Sequence, residues 1–186
     1  MKDLSLHLLD IALNSIEACA TRIELLILAE GGKLTVGVTD NGRGMEGESL
    51  MKAQDPFFTT RKTRKVGLGI PMFSQAALSA GGSLRIHSRE GGGTETKADF
   101  EIGHVDRKPL GNVGEAVITL VLAGRETEIT LRLDNGNQQW LFTTEEVRQY
   151  TGDIPLTEAG ILDWMEEYIN EGINTILGGV LDEVHR

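Results

Sequence analysis

The stretch that decides the fold reads Asp10-Ile11-Ala12-Leu13-Asn14-Ser15-Ile16-Glu17-Ala18 and lies in a predicted helix over residues 4–20. At about 100° per residue, His7, Asp10, Asn14 and Glu17 fall on one face of that helix. Such a face can hold a hydrated Mg²⁺ through the amide oxygen of Asn14 and place a carboxylate near a water molecule. The alternative is the solvated polar face of an ordinary amphipathic helix, and this segment alone leaves both open.

A second polar segment ends a predicted strand and reads Val38-Thr39-Asp40-Asn41-Gly42-Arg43-Gly44-Met45. Residues 42–47 match G-x-G-x-x-G, but a dinucleotide-binding turn would open a long helix, which the sequence here does not favour. Asp40 can instead accept a hydrogen bond from an adenine amino group while Gly42 and Gly44 let the backbone approach the base. A plain glycine turn is the alternative.

A third segment places basic residues and glycines before a predicted helix and reads Asp55-Pro56-Phe57-Phe58-Thr59-Thr60-Arg61-Lys62-Thr63-Arg64-Lys65-Val66-Gly67-Leu68-Gly69-Ile70. Backbone N–H groups and the positive helix end at Gly67 and Gly69 would attract phosphate, and the four cations upstream add charge at the same place. The two phenylalanines would anchor this loop. A solvated charged loop is the alternative.

The remaining pattern predicts alternating helices and strand pairs. The predicted strands are 25–29, 34–39, 84–88, 94–102, 127–133 and 139–142, and a helix is predicted over 70–80. Residues 114–123 read as a helix, although 117–121 read equally well as a strand. Thr144-Glu145 caps a short helix, and a longer one starts at Thr157-Glu158. The fold class is therefore α+β, with helices on one face of a mixed sheet and a small C-terminal α+β extension.

The charge is concentrated in the second part of the chain. The 186 residues carry a formal net charge of -10, and residues 104–186 hold 15 acidic but only six basic side chains. An acidic protein repels DNA, RNA and anionic membranes, so we expect neither nucleic-acid nor membrane partners. We expect an interaction module at residues 104–186 that is distinct from residues 1–103. Its Trp164, Met165 and Tyr168 are expected in the core, with a partner-helix groove as the alternative.

The cysteine content and the start of the chain favour a cytoplasmic protein. Cys19 is the only cysteine, so it cannot form an internal disulfide. Its place near a helix end predicts a small core residue. The first residues lack a long apolar signal core, and no apolar run approaches the roughly 20 residues that span a bilayer.

Together the three polar segments resemble the GHKL ATPase superfamily, which includes gyrase-type, Hsp90-type, histidine-kinase-type and MutL-type ATP sites. Asn14 and its neighbours resemble the N box, Asp40-x-Gly42-x-Gly44 the G1 box, residues 57–60 the F box, and Gly67-Leu68-Gly69 the G2 box; Gly92-Gly93-Thr94 resembles the late glycine-threonine motif. The resemblance covers residues 4–103 and is closest to histidine kinases and anti-sigma-factor kinases.

The resemblance implies a Bergerat α/β sandwich that binds ATP or ADP with Mg²⁺. On this mapping Asn14 ligates Mg²⁺, Asp40 contacts adenine, and Gly67 and Gly69 lie at the phosphates. The nucleotide-binding candidates are Asn14, Asp40, Gly42, Gly44, Phe58, Thr60, Arg61, Lys62, Lys65, Gly67, Leu68, Gly69 and Thr94.

Three departures from the family pattern bear on the chemistry. Lys65-Val66 replaces the usual glycine-threonine, so Lys65 is expected to reach a phosphate. Arg61 stands where histidine kinases usually carry lysine. Asp10 lies four residues before Asn14, where gyrase-type and anti-sigma-type members carry a glutamate thought to activate the nucleophile, so Asp10 is the catalytic candidate. Glu17 is an alternative with a more structural character.

Two functional hypotheses follow. No histidine lies on a dimerising hairpin: His7 falls inside the predicted N box helix and is expected to be structural or at the edge of the site. The first hypothesis is an ATP-dependent kinase that phosphorylates or regulates a partner protein in trans. The second is a non-catalytic module, gated by ATP or ADP, that signals through the acidic C-terminal unit. The sequence leaves open whether the chain forms a homodimer.

Overall fold

Six strands form one mixed sheet in the computed structural model, which describes residues 1–47 and 68–182. The elements are α1 (Leu4–Glu17), β1 (Arg22–Glu30), β2 (Lys33–Asp40), α2 (Gly69–Ser79), β3 (Ser83–Ser88), β4 (Thr94–Glu101), α3 (Val113–Ala123), β5 (Glu128–Asp134), β6 (Gln139–Thr143), α4 (Thr144–Thr151) and α5 (Ala159–Asp182). The strand order is β3-β4-β2-β1-β5-β6. The predicted α+β class is confirmed, and residues 114–123 are helical.

Alternation along the strands gives the sheet one buried face. In β1, Ile23, Leu25 and Ile27 are buried, whereas the intervening side chains are exposed or half-buried. A period of two places these three side chains on the same face. Helix α1 packs on β1 and β2, α2 packs on β3 and β4, and α5 packs on β5 and β6. The helices therefore cover the apolar face, as predicted.

The C-terminal strands extend the sheet of the first half. β5 pairs in parallel with β1, with Ile23 opposite Ile129, and β6 pairs antiparallel with β5. Buried residues of both halves belong to one hydrophobic cluster. The two predicted units, 1–103 and 104–186, thus share one sheet and one core, while their separate functional roles stay a prediction.

The end of α1 corrects the prediction for Cys19. The helix stops at Glu17, and the backbone N–H of Cys19 donates to the Ile16 carbonyl at 2.9 Å. Cys19 then adopts a φ of 60°, in the left-handed region that side chains other than glycine rarely occupy. This reversal turns its thiol to the surface, so Cys19 is exposed and the expected core position is wrong.

Helix α5 tests the core positions predicted for Trp164, Met165 and Tyr168. Met165 is buried as predicted, and it belongs with Ile169 to the hydrophobic cluster. Trp164 directly precedes Met165 and is 48% exposed, and Tyr168 directly precedes Ile169 and is 39% exposed. The core prediction is therefore right for Met165 and wrong for the two aromatic residues, which border a groove described below.

The cap of α4 lies one residue earlier than predicted. Thr143 Oγ1 accepts a hydrogen bond from the N–H of Glu146 at 3.1 Å, which satisfies a first-turn donor. Thr144 is instead buried and accepts from the N–H of Ile129 in β5 at 2.9 Å.

In the described residues, no helix is long and apolar enough to cross a membrane.

Candidate functional site

The polar face of α1 lies against α2 and is not a solvated surface along its whole length. The ring of His7 is buried and stacks on Phe73 of α2, with centroids 5.1 Å apart and an interplanar angle of 17°. Asp10 and Asn14 are half-buried, and Glu17 is exposed. The polar face of α1 therefore runs from the core, where His7 meets α2, to the surface at Glu17.

The start of α2 is in direct contact with Asp10. A β-carbon placed on Gly69 would overlap the Asp10 carboxylate, so a larger residue could not occupy that position without moving it. Gly69 is the first residue of α2, where backbone N–H groups have no partner within the helix. The structure thus joins two of the predicted site residues, Asp10 and Gly69, at the end of a helix that favours negative charge.

His7 belongs to the core. Burial lowers the pKa of His7 from its ordinary 6.5 to about 4, and Lys108 and the terminal amine act in the same direction, while Asp3 opposes them. Neither ring nitrogen has a hydrogen-bond partner among the described residues. A neutral, stacked ring agrees with the structural role predicted for His7.

Asp40 is held at the end of β2 by two donors. Its Oδ2 accepts from the Ser15 hydroxyl at 2.7 Å, and its Oδ1 accepts from the backbone N–H of Gly42 at 2.8 Å. A carboxylate offers about four lone-pair sites, so these two bonds orient the group without exhausting its capacity. Ser15 comes from α1, next to Asn14, and links the two predicted boxes. Sequence reasoning missed Ser15 because nothing local pairs it with a residue 25 positions away.

Two loops meet beside Asp40 because glycines allow close backbone contact. Gly44 has a φ of 67°, and a β-carbon there would overlap the carbonyl oxygen of Arg89. Gly93 has a φ of 81°, and a β-carbon there would overlap the carbonyl oxygen of Asp40. Both positions need glycine for conformation and for space. The G1-like loop and the late glycine-threonine loop are therefore neighbours.

Thr94 joins the same cluster. It lies opposite Asp40 in the β2–β4 register, and its Oγ1 is 2.8 Å from the hydroxyl oxygen of Ser88. Ser88 also accepts from the backbone N–H of Met45 at 2.9 Å. A cavity of about 300 Å³ opens at this end of the sheet, and Asp40, Ser88, Gly93 and Thr94 are among its lining residues. Its volume is at the lower end of the range for small-molecule pockets.

Asn41 ties the site to the start of β1. Its Oδ1 accepts from the N–H groups of Thr21 and Arg22, both at 2.9 Å, and its side-chain amide donates to Thr21 Oγ1 at 2.8 Å. Sequence reasoning missed this role. The only local signal is that asparagine commonly bonds backbone groups in turns.

Several predicted site residues lie outside the described residues: Phe58, Thr60, Arg61, Lys62, Lys65 and Gly67. Leu68 is described, precedes α2 and is 44% exposed. The structure thus brings together Asp10 with Gly69, and Asp40 with Gly42, Gly44 and Thr94.

Comparison with known proteins matches residues 2–107 to a family described as histidine kinase-, DNA gyrase B-, and HSP90-like ATPase. Sensor histidine kinase ZraS of Escherichia coli (strain K12) is 32% identical over 106 residues, which are 56% of this chain and 23% of that protein. Sensor protein kinase FleS of Pseudomonas aeruginosa is 37% identical over 88 residues, 46% of this chain and 22% of that protein. Each match spans less than a quarter of the relative.

A solved structure gives a weaker likeness. The Aquifex aeolicus MutL ATPase domain complexed with ADP is 18% identical, with a TM-score of 0.48, and the alignment covers 81% of this chain and 69% of that one.

Proposed function

Since the chain belongs to the histidine kinase-, DNA gyrase B- and HSP90-like ATPase family, we propose that it binds Mg-ATP where α1 meets the start of α2 and at the end of β2. We further propose that it uses the nucleotide to phosphorylate or regulate a partner protein in trans. The observation that carries the proposal is the Asp40 carboxylate, which Ser15 and Gly42 hold at 2.7 and 2.8 Å.

Asp40 would recognise the base. Its bound orientation leaves acceptor capacity for an exocyclic amino group, and a negatively charged acceptor strengthens such a bond. Gly42 and Gly44 keep side chains out of the adjacent loop. An exocyclic amino group, which adenine carries, can donate to this carboxylate, and the family match favours adenine over the other bases that carry one.

Asn14 and Gly69 would bind the phosphate end. The Asn14 amide oxygen is a hard ligand of the kind that Mg²⁺ prefers, and the backbone N–H groups at the start of α2, which have no partner within the helix, favour a phosphate. The chemistry of the donors thus fits a Mg²⁺–triphosphate. When bound, ATP supplies a transferable phosphoryl group. Arg61, Lys62, Lys65 and Gly67 remain proposed phosphate contacts on sequence alone, with Phe58, Thr60 and Leu68 beside them.

Asp10 would orient and deprotonate the nucleophilic side chain of the partner protein, which would attack the terminal phosphoryl group of ATP and release ADP. Its carboxylate lies at Gly69, next to the proposed phosphate position, and a carboxylate can act as a general base within hydrogen-bond reach of its substrate. Its contact with α2 supports the sequence-based choice of Asp10 over Glu17, which lies further out on an exposed turn of α1.

A contiguous path favours the second hypothesis, a module gated by ATP or ADP. Asn41 binds the N–H groups of Thr21 and Arg22, and the Thr21 carbonyl accepts from the N–H of Glu128 in β5 at 2.9 Å. The Glu128 carboxylate then accepts from the Arg148 guanidinium of α4 at 2.8 Å. Backbone and side-chain contacts thus run from the G1-like loop to α4, which is a physical connection that the gated module requires.

Calorimetric titration with ATP tests the nucleotide site. We expect Asp40→Asn to weaken ATP binding by roughly tenfold or more, because a charged hydrogen bond contributes about 1.5–3 kcal/mol. Asp99→Asn is the matched control, since Asp99 binds Thr35 and Arg85 in neighbouring strands. Equal affinity of Asp40→Asn and Asp99→Asn would refute the site.

Metal dependence and turnover separate the two hypotheses. We expect Asn14→Ala to reduce the gain in ATP affinity on adding Mg²⁺. Asp10→Asn is expected to bind ATP but to lose ATP consumption and protein labelling relative to the wild type. If neither protein consumes ATP or labels a partner while both bind it, the gated module replaces the kinase.

A further inference from the structure

An apolar groove lies between α4 and α5, at the edge of the sheet formed by β6. Its volume is about 610 Å³, and its lining residues include Phe142, Val147, Tyr150, Ile161, Trp164 and Tyr168. All of them lie beyond residues 2–107, which match the ATPase family. The groove is therefore a feature of the C-terminal part and is separate from the proposed nucleotide site.

The aromatic side chains of the groove stack on each other and remain exposed. Trp164 and Tyr168 stack with centroids 5.3 Å apart and an interplanar angle of 9°, which fixes their orientation. Tyr150 is 89% exposed on the opposite wall. Clustered exposed aromatic residues on a soluble domain mark binding surfaces, and Trp and Tyr dominate the energetics of protein interfaces.

The charge around the groove has one sign. Residues 144–171 contain eight acidic residues and one basic residue, Arg148. Arg148 pairs with Glu128 at 2.8 Å, so its charge is already matched. Glu146 lines the groove itself. On α5, helical geometry places Glu167 and Glu171 within about 60° of Trp164 around the axis, and both are exposed.

We propose that this groove docks a basic segment of a partner protein, one that inserts a large apolar side chain between α4 and α5 and places Lys or Arg against the acidic rim. The aromatic walls provide the apolar contact and can stack with a cation. The rim charge selects the sign of the partner and disfavours a second copy of this groove. The inference rests on the proposed function, for which it names the chemistry of the partner.

A fluorescently labelled peptide of lysine and leucine, with leucines at helical spacing, is the probe. Its binding is followed by anisotropy without nucleotide. We expect micromolar binding that weakens with salt, and about a tenfold loss in Trp164→Ala or Tyr150→Ala. Tyr150 contributes little burial, so its variant keeps the test valid if Trp164→Ala fails to fold. Leu122→Ala is the matched control because Leu122 is 47% exposed on α3.

Charge-reversal variants separate local recognition from net charge. Glu167→Lys and Glu24→Lys change the total charge equally, but Glu24 is an exposed residue of β1. We expect a clear loss of peptide binding only in Glu167→Lys. The proposal is overturned if both reversals act alike, if a glutamate–leucine peptide binds equally well, or if the chain self-associates through Trp164. Asn14 lies far from the groove in the sequence and belongs to the proposed nucleotide site, so Asn14→Ala should bind the peptide as the wild type does. A failed ATP titration therefore refutes the nucleotide site, whereas a failed peptide titration refutes the groove.

Discussion

Acidification should destabilise the fold through His7. The pKa of His7 falls from 6.5 to about 4 on folding, chiefly because the ring is buried. The unfolded chain therefore binds a proton between these values that the folded chain does not bind. The stabilisation is complete above pH 6.5 and is lost as the pH falls toward 4. A shift of about 2.5 units corresponds to about 3 kcal/mol, at 1.36 kcal/mol per unit.

Urea unfolding from pH 7.5 to pH 4.5 measures this contribution. His7→Phe keeps a ring against Phe73 and removes the titration. The free energy of unfolding of the wild type should therefore fall by up to about 3 kcal/mol relative to this variant as the pH falls. The absolute stability of the variant also reflects its larger ring and is not diagnostic. His87→Phe makes the same change at an exposed position and should preserve the pH slope of the wild type. A pH-independent difference between wild type and His7→Phe would refute this reasoning.

Two further changes test packing and capping. Gly69→Ala should lower the free energy of unfolding by about 1–3 kcal/mol, because the new methyl group overlaps the Asp10 carboxylate. Adding Asp10→Ala should restore most of that loss. If the effects of the two substitutions simply add in the double-mutant cycle, the contact is contradicted. Thr143→Ala should cost about 1 kcal/mol and lower the Tm by roughly 2–4 °C in a calorimetric scan, because it removes the cap of α4, whereas Thr143→Ser should leave the Tm unchanged. An equal loss in both Thr143 variants would argue against the cap.

Local pattern was sufficient to predict most elements and the order of the polar segments. Alternation in β1 and β2 and the glycines between them specify a hairpin, and the spacing of Asp10 and Asn14 places both on one helical face. These signals are readable because each depends on neighbours within a few residues. The position of Asp40 at a strand end could be predicted from the sequence. The hydrogen bond that Ser15 donates to it could not, because that bond depends on how α1 packs.

Tertiary contacts explain the wrong predictions. The exposure of Cys19 follows from a backbone reversal that helix propensity does not encode. Trp164 and Met165 are adjacent in sequence and equally apolar in pattern, yet only Met165 is buried. Which side of α5 is covered depends on where α3 and strands β5 and β6 pack against it, and the sequence of α5 does not encode those positions.

The parallel pairing of β1 with β5 has a consequence for synthesis on the ribosome. Arg22 pairs with Glu128, more than a hundred residues later, so one edge of β1 has no neighbour until the chain has been made as far as β5. A nascent chain that ends near residue 107 contains the family-matching region but presents the edge of Arg22–Glu30, whose apolar residues make it a template for association with other strands. Expression of residues 1–107 alone should therefore give aggregates where the 186-residue chain gives folded protein.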